Sequence, residues 1–127
     1  MVQRTQLSRI SLEPAPGPGE PAGGTAYSFV APLDSNGMID VEAWRQDRAL
    51  CFVHKTEQDG ALRHGLLVHR PGGPAGATWS FDYEPGVGDE ETGFRFETHA
   101  FTPGAYVTVR GPDGPPRTYR VSFVKPA

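Results

Sequence analysis

The chain has 127 residues and a formal net charge of −3, a length that argues for a single domain over 1–127 with one modest core. Its 16 glycines and 13 prolines break the chain too often for a helical bundle or coiled coil, and no apolar run approaches the roughly 20 residues that carry a helix across a bilayer. Cys51 is the one cysteine, which excludes an internal disulfide and a multi-cysteine zinc site. Residues 1–12 lack the continuous apolar stretch of a secretory signal, so the features together point to a cytoplasmic domain.

Residues 4–12 read as a strand with Ile10 and Leu12 on one face, and 25–31 as a second with Tyr27 and Phe29. Between them, 14–24 is rich in proline and glycine. Proline removes ladder donors and glycine raises the entropy lost on ordering, so a long flexible loop is expected there. The run Asp34-Ser-Asn-Gly-Met-Ile-Asp40 has the letters of the middle of an EF-hand calcium loop. Pro32 and Ala43 then fall where the end ligands belong, and the bidentate carboxylate that closes such a loop is missing. An Asx-rich turn leading into a short helix accounts for the same residues. That helix is expected over Asp40–Asp47, with Val41 and Trp44 at helical spacing and Asp40 as its cap.

Asp59-Gly60 suits a two-residue type I′ turn. The resulting register sets Gln58 opposite Ala61, Val53 opposite Leu66, Phe52 opposite Leu67 and Cys51 opposite Val68. Both faces of this hairpin are apolar, so it is expected to be covered on both sides, with Cys51 as a small core residue. Residues 78–83 alternate, Trp79, Phe81 and Tyr83 against Thr78, Ser80 and Asp82, as in a half-buried strand. The acidic residues around the next turn, including Asp89, Glu90 and Glu91, read as a solvated loop.

The C-terminal third reads as a three-stranded meander. Pairing Ala100 with Ala105 sets Phe96 against Val109. Continuing past Pro112–Pro116 sets Val109 against Tyr119, Val107 against Val121 and Ala105 against Phe123. The other face then pairs His99 with Tyr106, Glu97 with Thr108 and Arg120, and Arg95 with Arg110. Residues 94–127 hold five basic side chains against two acidic ones, whereas 1–93 hold seven against thirteen. The polar face of the meander therefore supplies the candidate binding residues Arg95, Glu97, His99, Tyr106, Arg110 and Arg120.

No nucleophile elbow, P-loop or dinucleotide fingerprint is present, and no catalytic residue is assigned. The four histidines show no His-x-His pair; on the Asp-Gly register His54 and His69 share a face but lie too far apart to hold one ion, so neither metal nor cofactor is called for. The expected fold is all-β, an antiparallel sandwich or small barrel of seven to eight strands with one short helix. The expected function is that of a non-enzymatic binding or interaction module using the meander's polar face. The alternative is a small-molecule-binding barrel for an anionic or aromatic ligand, which leaves room for an enzyme. An anionic small molecule or a protein is the expected partner; the acidic net charge disfavours nucleic acid.

Overall fold

Consecutive strands of the chain pair antiparallel, and the last strand returns to pair with the first, so the sheet closes on itself. The computed structural model describes residues 5–15, 25–57, 60–70, 78–83, 91–94, 96, 100–110 and 117–127. Its strands are β1 (Gln6–Pro14), β2 (Ala26–Leu33), β3 (Phe52–Thr56), β4 (Leu62–Arg70), β5 (Thr78–Asp82), β6 (Glu91–Phe94), β7 (Tyr106–Arg110) and β8 (Arg117–Pro126). One helix, α1 (Val41–Asp47), and a 3-10 turn, Arg48–Leu50, join β2 to β3. The all-β class is thus settled, and the sheet is a barrel. Each described strand is thus paired on both sides, which limits the edge on which a second chain could add a strand. Among the described residues, no helix is long and apolar enough to cross a membrane.

Alternation decides which side chains fill the barrel. Ile10, Leu12, Tyr27, Phe29, Val53, Leu67, Trp79, Phe81, Val107, Val109, Tyr119 and Val121 all point inward and are buried. An eight-stranded barrel is just wide enough for side chains to fill, and here aromatic rings fill it. Phe29 lies 5.2 Å from Phe81, 6.0 Å from Phe96 and 5.7 Å from Phe101 between ring centres. Helix α1 closes one end. Asp40 caps it as expected, accepting from the Ala43 N–H at 3.1 Å, and buried Trp44 donates from its indole to the Leu67 carbonyl at 2.9 Å. The Asx turn is also present: the Asp34 carboxylate accepts from the Asn36 and Met38 amides.

Two registers differ from those the sequence suggests. In the β3–β4 hairpin Val53 pairs with Gly65 and Phe52 with Leu66, one residue away from the Asp-Gly expectation. The reason is the turn. The Glu57 N–H donates to Ala61 and the Gly60 N–H to Glu57, so three residues rather than two span the loop. Gly60 takes φ +90°, the left-handed position that a three-residue hairpin loop requires. Val53 and Leu67 then point inward while Leu66 is exposed, so one face of the hairpin meets solvent instead of both being covered.

In the meander, Val107 pairs with Tyr119 and Tyr106 with Arg120, two residues from the expected register. An even shift keeps each side chain on its face, so Val107, Val109 and Val121 remain inside. Phe123, expected in the core, is exposed beside Lys125. The strand before β7 is 91–94, earlier than the expected one. Phe96 lies beyond it, buried with its ring over Gly93. Of the flexible loop expected over 14–24, Pro14 is instead the last residue of β1, paired with Tyr119, and 16–24 lie outside the described residues.

Gly65 permits the closest approach between strands. A Cβ there would meet the Asp82 carbonyl oxygen and lie 2.6 Å from the Tyr83 Cα, both backbone atoms that cannot rotate away. Gly65→Ala should therefore force β4 away from β5 and lower stability by about 1–3 kcal/mol, read by chemical denaturation. Stability equal to the parent's would show that the two strands separate freely.

Candidate functional site at the barrel end opposite the helix

The end opposite α1 is formed where β1, β3, β5 and β7 finish and β2, β4, β6 and β8 begin. Inward positions there mix the aliphatic Leu12 and Val109 with polar side chains. On β2 the residue after the bend inward is Tyr27, on β3 Lys55, on β6 Glu91 and on β8 Tyr119, while Tyr83 follows β5 directly. Five strands thus deliver three phenols, an ammonium and a carboxylate to one place.

Glu91 is the hub. Its Oε1 accepts from the Tyr27 hydroxyl at 3.0 Å and from the Tyr83 hydroxyl at 2.6 Å. Its Oε2 accepts from the Lys55 Nζ at 3.0 Å. Lys55 and Glu91 are only 9% and 8% exposed. Lys55 also lies 3.3 Å from Glu57 at the rim, and its Nζ sits over the faces of Tyr27 and Tyr83. Tyr119 stands edge-on to Tyr27, ring centres 5.0 Å apart. Above this floor the Arg63 guanidinium lies 4.7 Å from the centre of the Tyr83 ring, and Arg117 is close enough to act electrostatically on Tyr119. Lys55, Arg63 and Arg117 set three positive charges against Glu57 and Glu91.

Burial dominates the acid–base properties of the phenols. Desolvation pushes Tyr27 and Tyr83 far above the usual phenol range, and the Glu91 carboxylate pushes both the same way. Both are therefore hydrogen-bond donors at any ordinary pH. Burial likewise pushes the Cys51 thiol up to about 11, with Asp47 adding to the shift. A thiol that stays protonated is a poor nucleophile, consistent with Cys51 as a core residue.

Of the residues singled out from the sequence, Tyr106, Arg110 and Arg120 lie elsewhere. Tyr106 and Arg110 are exposed on the outside of β7, and Arg120 is half-buried on the outside of β8. Arg120 is paired with Glu13 of β1, its Nε donating at 3.1 Å, a partner invisible until β8 is known to return to β1. The observed register puts Arg120 opposite Tyr106, four residues along β7 from Arg110. At about 3.3 Å per residue that separation exceeds the screening length at moderate salt. Arg95, Glu97 and His99 lie outside the described residues.

Conversely, the sequence reading left Glu91 in a solvated loop, whereas it is buried in β6. Its position was hidden because β6 is only four residues long and contains a glycine. Lys55 had a usable signal, since it continues the inward phase of Cys51 and Val53. Among the described residues no group of three or more His, Cys, Asp or Glu side chains converges to hold a metal.

Fold and site together define an up-and-down β-barrel, plugged by a helix at one end and carrying a buried ionic network at the other. No protein-family model, curated protein or solved structure matches the chain.

Raised phenol pKa values make a signed prediction. Below pH about 10 the two phenols are protonated in folded and unfolded chains alike, and stability is unaffected. Above it the unfolded chain loses protons that the folded chain keeps, so stability falls as pH rises. Spectrophotometric titration should show Tyr27 and Tyr83 ionising only in a step that coincides with unfolding. Their ionisation while the circular dichroism is still native would refute the burial described.

Proposed function

We propose that this chain is a small-molecule-binding β-barrel and that its ligand seats at the end opposite α1, against Tyr83, Arg63 and the Lys55–Glu91 pair. The observation carrying this reading is the burial of an ion pair where a small barrel could have held apolar side chains. Two charges withdrawn from water recover their desolvation cost only with near-ideal geometry, and an apolar replacement is often as stable or more so. A buried cluster of ionisable groups, with phenols shifted by burial and by Glu91, marks a candidate functional site. The cations Lys55 and Arg63 and the three phenol rings favour a ligand with an aromatic ring and an anionic group, held by charge-assisted hydrogen bonds and by stacking. Binding rather than turnover is proposed: the nearby phenols keep their protons and Cys51 is sealed in the core.

A second reading places a protein partner on the outside of β7–β8. Its support is Tyr106, 56% exposed beside Arg120, since aromatic and arginine side chains anchor protein interfaces.

Amide NMR titration with benzoate, phenyl phosphate and neutral benzyl alcohol tests the first reading. The two anions should give saturable shifts at residues 55, 63, 83 and 91, and Arg63→Glu should weaken them by at least about tenfold. Shifts confined to Tyr106 and its neighbours, or none at any ligand concentration, would overturn it.

A further inference from the structure

The one-residue change of register in the β3–β4 hairpin brings together two residues that the sequence had kept apart. His54 and His64 are direct cross-strand partners. Both lie on the outward phase of their strands, opposite to buried Val53 and Lys55. His64 is exposed and His54 half-buried. Their ring centres are 4.6 Å apart and their planes nearly perpendicular, at 82°.

That spacing is compatible with a shared metal ion. Two imidazoles bound at about 2.0–2.1 Å, with roughly 90–110° between the bonds, hold their ring centres roughly 4.5–5.2 Å apart. Neighbouring strands of a closed barrel hold the two Cα atoms fixed, so little ordering is needed beyond rotation of the rings. From these observations we propose that His54 and His64 form a two-imidazole site for a divalent transition ion, with water completing the coordination. Imidazole suits copper, nickel and zinc, and on equal ligands copper(II) binds tightest. The site lies on the outer wall, apart from the Glu91 network, and does not depend on the ligand proposed there.

The surroundings set its strength. Phe52 flanks His54 with ring centres 5.0 Å apart, and the Arg9 guanidinium lies over Phe52 at 5.8 Å. Ser28 of β2 pairs with His54 from the other side. Arg9 brings positive charge toward the ion and weakens its binding; two neutral ligands place the affinity well below that of a structural zinc centre, which has four.

Calorimetric titration of the full chain, prepared without a polyhistidine tag, with Cu2+, Ni2+ and Zn2+ near neutral pH decides the matter. The parent should bind one ion, copper most tightly. His54→Gln and His64→Gln should each lower copper affinity by at least about tenfold, and Arg9→Gln should raise it. Replacing exposed His64 leaves the barrel's core untouched, so its melting temperature should match the parent's. Because protons compete with the ion for imidazole nitrogen, affinity should also fall on acidification. Copper binding as tight in both histidine variants as in the parent, or no binding of any of the three ions at millimolar concentration, would overturn the proposal.

Discussion

The carboxylate of Glu91 accepts three bonds from three different strands, and the end of the barrel opposite α1 is organised around it. Tyr27 from β2, Lys55 from β3 and Tyr83 from the end of β5 all converge on two oxygen atoms of a β6 side chain. None of these strands is adjacent to all the others, so the bonds run across the barrel interior and not only along the ladder. An apolar barrel end of this width would be packed by aliphatic side chains. This one is instead held by directional bonds, which fix the phenol rings and leave them no freedom to ionise.

The network depends on the packing beneath it. Phe29, Phe81, Phe96 and Phe101 fill the middle, and α1 with Trp44 seals the far end. Glu91 is withdrawn from water, with 8% of its surface exposed. The low dielectric this creates strengthens the ion pair and raises the penalty for breaking it. It also explains why a ligand site would sit at the mouth: the interior below is full.

Much of the wall was legible from the alternation of residues. Ile10 and Leu12, Tyr27 and Phe29, and Trp79, Phe81 and Tyr83 were each read on the face they occupy, and the helix with its Asp40 cap was read at its observed place. What could not be read were facts set by distant parts of the chain. The return of β8 to β1, which gives Arg120 its Glu13 partner, has no local signature. The Asp-Gly turn named its hairpin correctly but not its loop length, and that single residue decided whether His54 meets His64. The candidate site was missed for a related reason. The sequence draws the eye to a run of arginines on an outer face, whereas the buried ion pair is assembled from one lysine and one glutamate 36 positions apart.

The central claim is that the Lys55–Glu91 pair is held for its chemistry and not for stability. The denaturant stability of Lys55→Met, Glu91→Gln and the double variant tests it most directly. Lys55→Met alone strands a buried carboxylate and should lose about 3–5 kcal/mol. In the double variant the glutamine carbonyl still accepts from Tyr27 and Tyr83 and the Glu91 charge is gone, with Glu57 losing Lys55 in both variants alike, so the account predicts a smaller loss than for Lys55→Met. A double variant that loses as much as the two single variants together would contradict the account and make the pair a stabilising element of the fold.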